Sequence, residues 1–177
     1  MNSNRLTSTW YFHSPLHFFG FIFFTTLAVN WYTLPDTLAQ GAKEPQVVDH
    51  VSIFHHSGGG SYGYTIPVYE SNAIRFLSGG VGKEERDATY PSYSLKLILA
   101  QKGGAFLAHV SFAILDQKGQ TLIEIPEDLV IGPWLFVDLP PGTYTITGTN
   151  KQQVTKSRVI TVKPGTRQVQ HMNWPAS

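Results

Sequence analysis

The run Gly132-Pro133-Trp134-Leu135-Phe136-Val137-Asp138-Leu139-Pro140-Pro141-Gly142-Thr143-Tyr144-Thr145-Ile146-Thr147 constrains the fold of this chain more than any other stretch. Proline fixes φ at the first central position of a turn and glycine accepts positive φ at the second, so Pro141-Gly142 is expected as a type II turn. After it, Tyr144 and Ile146 alternate with Thr143, Thr145 and Thr147, the period of a strand with one apolar face. Before it, Leu135, Val137 and Leu139 alternate with Trp134, Phe136 and Asp138. The pattern is strand, tight turn, strand, and it speaks to architecture rather than to chemistry.

The same punctuation recurs from Ser94 onward. Leu95, Leu97 and Leu99 alternate with Lys96 and Ile98, and Ala108, Val110, Phe112 and Ile114 alternate with His109, Ser111 and Ala113. This places His109 on the polar side of a strand, where it reads as a surface residue. Asp116-Gln117-Lys118-Gly119 is a hairpin turn into a strand at 121–125, and the turn Lys163-Pro164-Gly165-Thr166 separates strands at 154–162 and 168–174. The connections are too short for parallel crossovers. The chain is therefore expected to be all-β, a seven-stranded antiparallel sandwich.

Leu139-Pro140-Pro141-Gly142-Thr143-Tyr144-Thr145-Ile146, with Asp116-Gln117-Lys118-Gly119 before it and Arg158-Val159-Ile160-Thr161-Val162 after it, resembles the carboxypeptidase regulatory-like, or transthyretin-like, domain family. The resemblance covers roughly residues 94–174, which places the domain at 93–175, and implies a prealbumin-like fold and a non-catalytic module. Gly79-Gly80-Val81-Gly82-Lys83-Glu84-Glu85-Arg86 is similar to a segment of uncharacterised exported bacterial proteins that carry such a domain. The closing Tyr-Arg-Gly-Ser of the transthyretin-like hydrolases is absent, since this chain ends His171-Met172-Asn173-Trp174-Pro175-Ala176-Ser177.

Upstream, residues 1–39 read as a signal peptide. Arg5 is the only charged residue before Asp36, an apolar run covers 16–29, and Thr37-Leu38-Ala39 supplies the small residues of a cleavage site. The alternative is an uncleaved inner-membrane anchor over 16–34, extended by Asn30, Trp31 and Tyr32. Periplasmic or secreted is the expected location, with the membrane touched only through that segment. Residues 40–67 read as a Gly/Ser-rich linker around Ser57-Gly58-Gly59-Gly60-Ser61, with one strand at 47–54. Residues 68–92 read as an extension packing on the sandwich, with short extended pieces at 68–69 and 74–77 and a helical turn near 83–90.

Chemistry is sparse. A net charge of +1 makes no case for nucleic acid, and the absence of cysteine excludes thiolate sites. Gly79 to Lys83 lacks P-loop spacing, because Leu77 and Glu84 stand where glycine and Ser or Thr are needed. No nucleophile elbow or Ser-x-x-Lys is present. No cofactor is expected, and His50, His55 and His56 are weak metal candidates without a fourth ligand. The aromatic surplus carries more. Trp134, Phe136, Tyr93 and Trp174 are candidates for a ligand or partner surface if the leucine and valine side of the strand packs inward; otherwise residues 68–92 cover Trp134 and Phe136. The expected function is non-catalytic binding of another cell-envelope protein or a structural role. A carbohydrate-binding module is the alternative, and a hydrolase or metal-binding protein ranks third.

Overall fold

The computed structural model of the chain describes residues 43–57 and 60–176. The export segment expected at 1–39 lies outside them. Ten strands form two sheets among the described residues. Three come first: β1 (Gln46–Ser57), β2 (Gly60–Ser71) and β3 (Ile74–Gly79). The short helix α1 (Gly82–Asp87) follows. Seven further strands then run from Leu95 to Trp174: β4 (Leu95–Gln101), β5 (Ser111–Leu115), β6 (Thr121–Ile125), β7 (Trp134–Asp138), β8 (Gly142–Thr149), β9 (Thr155–Val162) and β10 (Gln168–Trp174). One sheet has six strands in the order β1-β2-β3-β7-β4-β10 and the other four, β6-β5-β8-β9.

The two sheets face each other across one core, so the chain is an all-β sandwich. The six-stranded sheet contributes Phe76, Leu97, Leu135, Val137 and Trp174, and the four-stranded sheet contributes Phe112, Ile114, Ile123, Ile146 and Ile160. Each lies on the apolar parity of its strand, which is what an alternating pattern requires of a sheet with one face in the core. Burying such side chains contributes roughly 1.5–3 kcal/mol each.

Three expectations are corrected. Residues 46–71 form a hairpin, registered from Ser57 opposite Gly60 down to Gln46 opposite Glu70, in place of a linker. Ile53, Ile66 and Val68 are buried along one face of it, and that burial outweighs the entropy of ordering a glycine- and serine-rich stretch. Next, β3 is hydrogen-bonded between β2 and β7, so residues 68–92 are not an extension lying on the sandwich but include a strand of its larger sheet. Last, β10 pairs parallel with β4 while every other strand pair is antiparallel. The turn after β9 is a corner between sheets rather than a hairpin, so the short connection places no antiparallel constraint on β10.

The two Pro-Gly pairs behave differently. Gly165 has φ 66°, and the Thr166 N–H donates to the Lys163 carbonyl at 3.4 Å, as a type II turn requires. Gly142 is not among the positive-φ residues; it is the first residue of β8. What fixes the chain there is Tyr144, whose hydroxyl donates to the Pro140 carbonyl at 2.8 Å. A Cβ at Gly142 would lie 2.9 Å from that hydroxyl, so glycine is needed for the ring to fold back. The arrangement is a tyrosine corner, a phenol tied to backbone a few residues upstream.

Candidate functional site

Alternation along β7 sends its side chains to two different interiors. Leu135 and Val137 enter the core between the sheets. Phe136 and Trp134 point away from it, into a second apolar layer with Ile53, Ile66, Val68, Leu77, Tyr90 and Tyr93. Phe136 is 1% exposed and Tyr93 is 7% exposed, while Trp134 is half-buried. Tyr90 stacks on Phe136 with ring centroids 4.5 Å apart. Trp134 is clamped: the Lys96 ammonium lies 3.1 Å from its ring centroid, and a Cβ on Gly80 would come within 2.7 Å of the ring. Trp174 belongs to the other core, with its indole N–H donating to the Val154 carbonyl at 2.8 Å.

The open aromatic platform is thereby corrected. Tyr93, Phe136 and Trp174 are buried, and the ring of Trp134 is already engaged by a cation and a backbone. The hairpin β1–β2, together with Tyr90 and Tyr93, is the cover. A sheet face carrying Trp and Phe would otherwise expose a large apolar patch.

Polar side chains fasten this cover. Glu85 on α1 is buried, and its carboxylate accepts from the Val81 N–H at 2.8 Å and from the Tyr64 hydroxyl at 2.9 Å. One carboxylate thus joins the turn after β3 to the hairpin strand β2. Tyr64 is pushed up to about 12 by desolvation of its hydroxyl, then by the hydrogen bond and the charge of Glu85. Tyr90 is also pushed up to about 12, first by burial and then by the Glu85 charge. These phenols stay protonated at neutral pH and act as donors and fillers.

The remaining candidates do not assemble a reactive group. His50 is exposed on β1, and its backbone N–H donates to the Asp49 carboxylate at 2.8 Å. His56 lies six residues further along the same extended strand, which separates the two by about 20 Å, too far to share an ion. His55 lies opposite Tyr62 in the hairpin register. Among the described residues no three His, Cys, Asp or Glu side chains gather as a metal site. His109 is not on a strand: it has φ 55° in the loop before β5, held by its N–H to the Val130 carbonyl at 2.6 Å. A cleft of about 740 Å³ at the Pro-Pro-Gly end includes Ser94, Asp138, Lys163 and Arg167. The Ser94 hydroxyl there accepts from the Leu139 N–H at 2.8 Å and donates to the Val137 carbonyl at 3.4 Å, so it is committed to the backbone.

What the fold leaves open is an edge. β1 is the outermost strand of the six-stranded sheet and runs for 12 residues. It carries neither lysine nor proline, two of the devices that blunt an edge, and has one bulge between Val47 and Asp49. Val47, Val48 and Phe54 are exposed along it, Phe54 at 68%. Beside it, a cleft of about 490 Å³ lies between Ser52 and Phe54 on one side and Lys83, Asp87 and Ala88 on the other. An extended segment pairing with β1 would find backbone donors and acceptors along the strand and a side-chain pocket next to Phe54. The sequence signal for this was the alternation of Val51 and Ile53 ahead of the glycine- and serine-rich run from Ser57 to Ser61.

No family model, no curated protein and no solved structure matches this chain.

Proposed function

We propose that the protein is an exported, non-catalytic sandwich module that binds another cell-envelope protein by strand addition at β1. The observation that carries the reading is the 12-residue edge, exposed at Phe54 and flanked by a pocket. Main-chain pairing supplies affinity in this mode, and the pocket beside Phe54 supplies selectivity. Export rests on the apolar N-terminal run and the small residues before position 40. A non-catalytic role is supported by Ser94 being tied to backbone and by the separation of His50 from His56 along β1. We further propose that the portion from Leu95 to Trp174 is a prealbumin-like domain of the carboxypeptidase regulatory-like family. Its support is the Leu139-to-Ile146 motif and seven strands divided as β7-β4-β10 and β6-β5-β8-β9.

Crosslinking in intact cells followed by pull-down tests the function. One dominant protein adduct, reduced by Phe54→Lys at unchanged expression, is the expected result. Recovery of the protein only as an uncrosslinked soluble monomer contradicts it.

A further inference from the structure

The free edge of β1 has a symmetry of its own. The bulge between Val47 and Asp49 switches the faces of the strand: Val47 lies opposite Tyr69, which packs on the core between the sheets, whereas Asp49 lies opposite Val68, which belongs to the second apolar layer. From Asp49 onward the alternation is regular. Val51 and Ile53 face the second layer, while His50, Ser52 and Phe54 face the other way and are exposed. Among the described residues, none of β1 contributes to the core between the sheets.

The backbone is directed as well. The His50 N–H donates to the neighbouring Asp49 carboxylate at 2.8 Å, which places it outside the ladder with β2. An antiparallel strand turns alternate residues to its two neighbours, so the N–H and C=O groups of His50, Ser52 and Phe54 point at the free edge. An edge of 12 residues with neither lysine nor proline is a template for a further strand.

We infer that β1 pairs antiparallel with β1 of a second copy, about a two-fold axis at Ser52. This register places Ser52 opposite itself, Val51 opposite Ile53, His50 opposite Phe54 and Asp49 opposite His55, each of the last three twice. Opposed residues share a face throughout. Apolar side chains meet on one side, an aromatic ring meets an imidazole on the other, and the one acid of the strand meets an imidazole at each end. Other centres match less well. An axis at His50 sets two imidazoles face to face, one at Val51 sets Asp49 against Ile53, and one at Ile53 sets His50 against His56. Beyond Asp49 the bulge switches faces, so the pairing stops there and, by symmetry, at His55. The cleft of about 490 Å³ beside Ser52 and Phe54 leaves room for side chains of the second copy next to α1. The pairing rests on the reading of β1 as a strand-adding edge and supplies its resting state: a second copy holds the edge until the envelope partner replaces it.

The chain has no cysteine, so one introduced thiol reads the register. At the axis the two Cα atoms of residue 52 stand about 5.5 Å apart, a span that a disulfide bridges. Ser52→Cys with oxidised glutathione is expected to give a disulfide-linked dimer, and His50→Cys, facing Phe54, at least about tenfold less of it. Sedimentation equilibrium of the purified chain should show a dimer at micromolar concentration. Phe54→Lys should raise its dissociation constant by at least about tenfold, and Lys118→Glu, in the turn between β5 and β6, should leave it within about twofold. Should Ser52→Cys fail to fold, sedimentation of the unsubstituted chain decides. A monomer across that range overturns the inference, as does equal crosslinking from His50→Cys and Ser52→Cys, or a dimer indifferent to Phe54→Lys. The two readings fail separately, because the purified chain meets no envelope partner. A monomer in isolation with a foreign adduct in cells overturns the pairing alone, and a dimer in isolation with only a self-adduct in cells upholds the pairing and overturns the envelope-partner reading.

Discussion

The two faces of β7 are closed by different means. Leu135 and Val137 meet a second sheet, and that interior is apolar almost throughout, with buried side chains from eight strands, β3 to β10. Phe136 and Trp134 meet a two-stranded cover tied to α1 and the turn after β3 through one carboxylate and one phenol. Of the 12 residues of β2, only Tyr69, Glu70 and Ser71 pair with β3, so most of the hairpin is held by side chains rather than by the sheet ladder. The comparison teaches that apolar area makes the sandwich, whereas a few polar fasteners decide whether its outer aromatic face stays shut. Local opening is expected to follow that division.

Single substitutions can separate the two. The largest effect belongs to the inner face: Leu135→Ala should cost about 4 kcal/mol in chemical denaturation, because a fully buried side chain between two sheets leaves a cavity that cannot collapse. Glu85→Ala should cost less, about 2 kcal/mol, through the unpaired Val81 N–H and the freed Tyr64 hydroxyl. Its signature is local: amide hydrogen exchange should rise in β1 and β2 and stay unchanged in β5 and β8. A uniform rise across both sheets would dissolve the distinction between cover and sandwich. The smallest effect is titration. Tyr64 and Tyr90 have their phenol pKa raised from the ordinary 10 to about 12, so the stability they contribute is complete below pH 10 and is lost as pH rises towards 12. Ultraviolet difference titration should show two late phenols in the native protein, and Glu85→Ala should bring both midpoints down.

Much of the sandwich was legible in the chain because alternation and turn chemistry agreed. Asp116 is one case: its carboxylate accepts from the Lys118 and Gln120 N–H groups, and Gly119 takes φ 76°. Pro164-Gly165 is another. Pro141-Gly142 misled as to turn type, since the dipeptide carries no record that Tyr144 would reach back over it. The β2–β3 turn was invisible for a related reason. Asn72 and Ala73 both take positive φ, as a type I′ turn demands, but alanine there is not a turn signal. The hairpin cover was hidden by glycine and serine, whose composition favours a linker until the apolar alternation of Val51, Ile53, Ile66 and Val68 is weighed against it. A charge imbalance was lost in an average. A net charge of +1 conceals a final stretch, residues 139–177, without an aspartate or glutamate.

Site-specific photocrosslinking in intact cells tests the central claim most directly, that β1 is the partner surface and the aromatic face an interior. A benzoylphenylalanine placed at Phe54, and in a separate strain at Trp134, probes one position on each. The account predicts a single dominant protein adduct from position 54 and none from position 134. An adduct from position 134 without one from position 54 would contradict it.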